Sequence, residues 1–352
     1  MRWDLFCRVV DNFGDIGVCW RLAADLASRG EQVRLWVDDA SALAWMAPDR
    51  AAGVTVLSWG AAAAAGDPGD VVIEAFGCDP PPTFVQCMLE RHAAPVWINL
   101  EYLSAEPAVE RNHGLTSPQL GGPGKGLTKW FYYPGFTAGT GGLIREPGLM
   151  AARLAFDAPA WLHGRGIAAR AGEQTVSLFC YDNPAIPELL NRLARTPTLL
   201  LATAGQAAQQ VHSALGPGLV RGALRAVLLP LLTQPDFDAL LWCCDLKFVR
   251  GEDSFVRAQW AGKPFVWQIY LQQDGAHGAK LEAFLTHLLV QADAGLSDDL
   301  RTLWRTWNGL SGQTIGPIDW QAWQRHCLAW RSRLLAQADL TQQLVRFAVE
   351  RR

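Results

Sequence analysis

Short apolar runs alternate with helically spaced stretches along most of this chain, and few architectures accept that order. Residues 4–10 form the first apolar run, and DNFGDIG at 11–17 reads as a turn with two glycines. From Val18 to Ser28 the apolar residues Trp20, Leu22, Ala23, Leu26 and Ala27 recur at helical spacing, and Gly30 ends the helix. QVRLWVDD, VTVL, DVVIEAF and PVWINLE then read as strands. Strands alternating with helices predict a doubly wound, mostly parallel α/β sheet.

The alternation weakens between about 104 and 160, where GGPGKGLTKWFYYPGFTAGTGG reads as a long surface loop. It then resumes. TVSLFCY, TLLLAT, RAVLLPLL and LKFVRG read as strands, NPAIPELLNRLAR as a helix, and another helix opens near Asp253. Residues 319–352 read as one long terminal helix with Trp323, Leu328, Leu334, Leu335, Leu344 and Phe347 on its apolar face. A length of 352 residues fits two domains. The boundary falls near 160, giving domains over 1–160 and 161–329, with the helix from about 330 to 352 packing back on the first. Two such halves closed by a terminal helix match the GT-B glycosyltransferase architecture, in which two Rossmann-like domains face a central cleft; at this level the match is an analogy of fold.

Composition removes several classes of function. Half of the residues are hydrophobic and 18% are charged, the reverse of a disordered chain. With 31 Lys+Arg against 34 Asp+Glu the net charge is −3, which argues against a nucleic-acid or polybasic membrane binder. The 8 cysteines form no C-x-x-C pair, and Cys7, Cys87, Cys180 and Cys243 sit among apolar neighbours, as buried thiols do in a reducing cytoplasm. The 7 histidines add no zinc-like spacing. Asp4, Arg8 and Asp11 interrupt the place where a signal peptide needs an apolar core, and no apolar run approaches the roughly 20 residues of a membrane span. A soluble cytoplasmic protein is expected. The 16 tryptophans against 5 tyrosines point mainly to aromatic packing.

Three segments carry chemistry. In VVDNFGDIGVCWRLA, Asp11 and Asp15 flank the turn after the first strand, where open α/β sheets bind ligands, and Gly14 and Gly17 suit a tight backbone turn there. Two carboxylates at this place can orient a nucleophile and take its proton; either also suits a helix N-cap. Gly14 and Gly17 give G-x-x-G rather than G-x-G-x-x-G, so a dinucleotide site is poorly supported, even with Asp38 and Asp39 ending the second strand. In LKFVRGEDSFVRAQWAGKPFVWQIY, Arg250 precedes a helix opened by Glu252, Asp253 and Ser254. A helix start with a neighbouring arginine suits phosphate, and Glu252 a sugar hydroxyl, while capping or an Arg–Glu pair accounts for the same residues without a ligand. In SLFCYDN, Phe179 and Tyr181 share one face of a strand, facing either a nucleobase or the core. Gln234 and Phe237 in TQPDFD offer a second wall.

Taken in order, DLFCRVVDNFGDIGVCWRLA, INLEYLSAE, SLFCYDN, TQPDFD and RGEDSFVRAQWAGKPFVWQIY closely resemble the EarP family of protein-arginine rhamnosyltransferases across essentially the whole chain. The resemblance implies a GT-B inverting enzyme. It would move L-rhamnose from dTDP-β-L-rhamnose to an arginine guanidinium nitrogen of elongation factor P, for rescue of ribosomes stalled at polyproline. It puts Asp15 in the general-base position, with Asp11 and Glu252 as further catalytic carboxylates. Phe179, Tyr181, Gln234, Phe237, Arg250, Asp253 and Ser254 fall on donor-binding positions. Leu271 stands where the family pattern has proline, and GGPGKGLTKW is atypical in its glycines. No cofactor is expected, and no D-x-D motif in a suitable context points to a metal, so a metal-independent reaction is expected. The alternatives are a GT-B transferase with another acceptor, a non-enzymatic scaffold that docks a translation factor, and, last, a nicotinamide enzyme.

Overall fold

The structure is a computed structural model that describes residues 1–10, 13–62, 64, 66–271, 275–313 and 316–352. The chain divides into two compact units, Met1–Pro147 with Ala336–Arg352, and Gly148–Leu335. The alternation in the sequence places these divisions near 160 and 330.

The first unit runs β1 (Arg2–Cys7), α1 (Gly14–Ser28), β2 (Gln32–Val37), α2 (Leu43–Met46), β3 (Val54–Ser58), α3 (Trp59–Ala62), β4 (Val71–Ala75), α4 (Pro82–Glu90), β5 (Val96–Leu100), α5 (Pro107–Asn112), β6 (Thr116–Pro118) and β7 (Thr128–Tyr132). The sheet order is β3-β2-β1-β4-β5-β7-β6. All neighbours are parallel except the β6–β7 pair. Order reverses between β1 and β4, the switch point at which such sheets bind ligands.

Strand alternation sets the two layers over this sheet. Trp3, Leu5 and Cys7 of β1 pack with Leu22 and Leu26 of α1, whereas Phe6 turns to Trp36, Phe84 and Met88. Asp4 shares that second face and is fully buried. Its carboxylate accepts from Arg34 Nε at 2.6 Å, Arg34 Nη2 at 2.7 Å, Trp36 Nε1 at 2.7 Å and the Gly69 N–H at 2.6 Å. Four donors offset the desolvation of a buried charge. Gly69 is required by this approach, since a Cβ there would collide with the Arg2 carbonyl oxygen.

Two expectations change here. The stretch read as a surface loop contains β6 and β7, and β7 pairs in parallel with β5; Thr128–Tyr132 is rich in strand-favouring aromatics, and the flanking glycines masked that run. Helix α1 begins at Gly14, a turn earlier than the apolar spacing indicated, so Gly14 and Gly17 are helical residues rather than turn residues. The Gly17 N–H already bonds the Phe13 carbonyl at 3.0 Å.

The second unit runs α6 (Leu149–Ala155), α7 (Ala158–Gly164), β8 (Gln174–Leu178), α8 (Ile186–Leu193), β9 (Thr198–Ala202), α9 (Gln206–Leu215), β10 (Val220–Arg221), β11 (Leu224–Leu228), α10 (Gln234–Cys243), β12 (Leu246–Arg250), α11 (Asp253–Ala261), β13 (Phe265–Gln268), α12 (Ala276–Leu288), α13 (Ala294–Trp307) and α14 (Trp320–Leu335). Its sheet order is β10-β11-β9-β8-β12-β13, with the switch point between β8 and β12. One layer buries Leu199, Leu201, Leu229 and Leu240. Another is aromatic: Phe255 stacks on Trp267 at 3.9 Å, and Phe284 meets Trp304 at 5.6 Å and Trp330 at 6.0 Å. Much of the tryptophan surplus is therefore packing, as the composition indicated.

The chain ends in α15 (Leu340–Val349), which belongs to the first unit. The single helix expected over 319–352 is thus two helices. Asp339 breaks it: its backbone is extended and its side chain accepts from the Gln342 N–H at 2.8 Å, an N-cap. Leu340, Leu344 and Phe347 then join the core around α1, while Leu328, expected on the buried face, is 44% exposed. All eight cysteines are free, with Cys87 half-buried and the others buried. Among the described residues, no helix is long and apolar enough to cross a membrane.

Candidate active site

In the first unit the site residues gather at the carboxyl ends of β1, β4 and β5. Asp15 lies in the first turn of α1 and is 3% exposed. It is not the N-cap; that position is Phe13, which makes no side-chain cap bond. Instead Asp15 Oδ2 accepts the Val10 N–H at 2.8 Å, and Oδ1 accepts the Tyr102 hydroxyl at 3.3 Å. The carboxylate is thus held by the connection after β1 and by the segment after β5. Asp11 lies outside the described residues.

Around this carboxylate the strand ends carry more polar groups. Asn99 Oδ1 accepts the Gly77 N–H at 3.2 Å, and Asn99 Nδ2 donates to Glu101 Oε1 at 2.8 Å. Burial pushes the Glu101 carboxyl upward, against the Asn99 hydrogen bond and the Lys129 charge. Tyr102 and Phe76 stack at 4.2 Å with an interplanar angle of 10°. INLEYLSAE held the signal for Glu101 and Tyr102, but spacing alone gave them no role.

In the second unit the candidates converge at the β8/β12 switch point. Strand β8 ends at Leu178. Phe179 and Tyr181 therefore follow the strand rather than lie on it, and both are half-buried. The Arg250 guanidinium, at the end of β12, lies 4.5 Å from the Phe179 centroid and 4.4 Å from that of Tyr181. Phe237, from the first turn of α10, meets Phe179 edge-on at 5.4 Å. Gln234 opens the same helix and is buried.

The start of α11 completes this cluster. Glu252 occupies the N-cap position without a side-chain cap bond, and Asp253 is the first helical residue. The Ser254 hydroxyl accepts the Arg250 N–H at 3.1 Å and donates to the Arg250 carbonyl oxygen. It fixes the turn that aims Arg250. Gly251, at φ +61°, has the Tyr181 hydroxyl 3.5 Å from where a Cβ would stand. A helix start of this kind presents N–H groups and a positive dipole end.

Amides and ions that sequence reasoning missed hold these pieces. Gln268 accepts the Tyr181 N–H at 2.8 Å and donates to the Asp182 carbonyl at 3.1 Å. Gln210 donates to the Tyr181 carbonyl at 3.1 Å and accepts the Asn183 N–H at 2.8 Å. Arg257 of α11 pairs in a fork with Asp238 of α10 at 2.8 and 2.7 Å, both buried. Arg257 stood inside RGEDSFVRAQW, but nothing in one sequence names its partner. Lys247 of β12 is fully buried, and burial pushes its ammonium down to about 7. Among the described residues, no group of three or more His, Cys, Asp or Glu is placed to hold a metal ion.

A family model for the Elongation-Factor P (EF-P) rhamnosyltransferase EarP matches residues 3–349. A protein-arginine rhamnosyltransferase of Pseudomonas aeruginosa is 45% identical, over 98% of this chain and 98% of that protein. One from Neisseria meningitidis serogroup B is 39% identical, over 93% of this chain and 90% of its own length. Among solved structures, that reported as the structural basis for EarP-mediated arginine glycosylation of translation elongation factor EF-P superposes with a TM-score of 0.70 at 34% identity, covering 99% of both chains. The spinosyn forosaminyltransferase SpnP, at 12% identity and a TM-score of 0.55, shares the fold, which is GT-B. Two doubly wound units, carboxylates at one switch point and a cation over aromatic rings at the other agree with these relationships, and the chain belongs to the EarP family of protein-arginine rhamnosyltransferases.

Proposed function

We propose that the donor is dTDP-β-L-rhamnose, that the acceptor is an arginine of translation elongation factor P, and that transfer proceeds with inversion, in the cytoplasm and without a metal ion. The observation that carries this reading is the Arg250 guanidinium over Phe179 and Tyr181, beside the start of α11. A nucleotide diphosphate sugar brings a flat base and a charged diphosphate, and this corner offers aromatic rings, a fixed cation and helix N–H groups.

The acceptor sets the harder problem. Arginine stays protonated at neutral pH, with a pKa above about 12, and its nitrogen lone pairs are delocalised. A carboxylate can hold the guanidinium by charge-assisted hydrogen bonds and take a proton as the C–N bond forms, when that nitrogen becomes far more acidic. Asp15 is the base in this reading: it is buried, and its carboxylate is held in place by the Val10 N–H and the Tyr102 hydroxyl. Asp11, outside the described residues, is assigned beside it by the family resemblance alone, and Glu252 holds a sugar hydroxyl. As the glycosidic C–O bond breaks, negative charge grows on the departing dTDP. Arg250 and the N–H groups at Asp253 and Ser254 stabilise it, with Phe179, Tyr181, Phe237 and Gln234 around the nucleoside.

Titration calorimetry tests the donor assignment. The protein should bind dTDP and dTDP-rhamnose and discriminate against NAD and UDP-glucose; equal affinity for all four would remove it.

A further inference from the structure

The ladder between β8 and β12 ends with the Leu178–Phe248 pair and a last bond from the Phe179 N–H to the Phe248 carbonyl at 2.9 Å. Tyr181 lies beyond it, and side chains meet its main chain there. Gln268, at the end of β13, accepts the Tyr181 N–H at 2.8 Å and donates to the Asp182 carbonyl at 3.1 Å. Gln210 of α9 donates to the Tyr181 carbonyl at 3.1 Å and accepts the Asn183 N–H at 2.8 Å. Each amide donates at one end and accepts at the other, as a strand backbone does, and the main-chain groups it meets fix which end is which. Gln268 is buried, and its own main chain is pinned on both sides. Asn308, at the end of α13, donates to the Trp267 carbonyl at 2.8 Å and accepts the Ile269 N–H at 2.9 Å.

We propose that Gln268 and Gln210 are positioning residues for donor binding, which set the place of the Tyr181 ring beside Arg250 by clamping the Tyr181 main chain. The inference rests on Tyr181 belonging to the donor site proposed above. Its ring lies 4.4 Å from the Arg250 guanidinium, and a ring goes where its backbone takes it. A shift of about 1 Å in a binding group is enough to cost much of its contribution. An apolar side chain at 268 would leave one N–H and one carbonyl unmatched, and the segment would move to find other partners. A glutamate there would set an acceptor against the Asp182 carbonyl. Neutral amides satisfy both groups without adding a charge near the place proposed for the diphosphate.

A double-mutant cycle on the full chain, read by calorimetry with dTDP, separates positioning from general stability. Gln268→Ala should weaken dTDP binding about tenfold. In a Tyr181→Ala background, where no ring remains to be placed, the same change should cost less than about twofold. The clamp is overturned if Gln268→Ala leaves dTDP affinity unchanged, or if its loss is as large with Tyr181→Ala as without it. The second result would make Gln268 a support of the whole unit. If Gln268→Ala does not fold, Gln210→Ala goes through the same cycle, since it meets the other main-chain group of Tyr181, and an unchanged affinity overturns the clamp. Tyr181→Ala alone keeps the two ideas apart. Full dTDP affinity in that variant removes Tyr181 from the donor site and the clamp with it, whereas weakened binding there with none in Gln268→Ala removes the clamp only.

Discussion

The Val10 N–H donates to Asp15 Oδ2 at 2.8 Å, so the carboxylate is fixed by the very connection that joins β1 to α1. An asparagine can present its oxygen to the same N–H but cannot take a proton. Asp15→Asn should lower transfer by a factor of about 10²–10⁴ and leave dTDP-rhamnose affinity nearly intact. Calorimetry paired with a transfer assay checks both halves; unimpaired turnover would take Asp15 out of the base role.

Phe179 is half-buried, with Phe237 at its edge and Arg250 over its face. Phe179→Ala should therefore weaken dTDP binding by about 1–3 kcal/mol, the worth of one stacked base, and should affect the melting temperature much less. An unchanged dissociation constant would return this ring to the core.

Arg250 is the cation over Phe179 and Tyr181, in the corner proposed for the donor. Arg250→Ala should cost about a hundredfold or more in kcat by analogy with removal of one transition-state donor. Incubation of the wild-type enzyme with a chelator should leave its rate unchanged. Loss of rate on chelation, restored by a divalent cation, would show that a metal carries the diphosphate charge instead.

Lys247 gives a pH dependence with a definite sign. Burial lowers its folded-state value to about 7, below the ordinary lysine value of 10.5. Between these limits the unfolded chain binds the extra proton, so this group makes stability rise with pH, by up to about 1.4 kcal/mol per unit. Below about 7 both states are protonated and the penalty is constant. Lys247→Met should thus be more stable than wild type at pH 7, with the gap narrowing as pH rises to 9. Urea denaturation at both values measures it, and a constant gap would contradict the assignment.

Asp339 caps α15 and also accepts from Arg29 Nη2 at 2.8 Å. Asp339→Ala should destabilise the protein by about 0.5–2 kcal/mol in chemical denaturation, the range for a lost N-cap. No measurable change would mean that core packing of Leu344 and Phe347 alone seats the helix.

Both sheets were legible in the sequence because β1, β4, β5, β8, β9 and β12 are short apolar runs, and short apolar runs survive without an alignment. The break in the terminal helix is not legible in the sequence, because Ala336–Ala338 does not interrupt helical spacing; it shows only in the structure, where Asp339 accepts the Gln342 N–H as an N-cap. Strand β7 was hidden among glycines whose turns lie on either side of it. The chemistry-bearing groups at strand ends, Asp15, Arg250, Phe179 and Tyr181, could be named because topology puts such ends at the ligand side. Their supports could not be. Val10, Tyr102, Gln268, Gln210 and Asp238 act across 5, 87, 87, 29 and 19 residues of chain respectively, and one sequence holds no record of those pairings.

One product tests the arginine rhamnosylation most directly. Elongation factor P, incubated with this protein and dTDP-rhamnose, should gain one deoxyhexose, and peptide mass spectrometry should place it on a single arginine. The Asp15→Asn protein should leave that peptide unmodified. An unmodified factor with the wild-type protein, or a sugar on another residue type, would contradict the account.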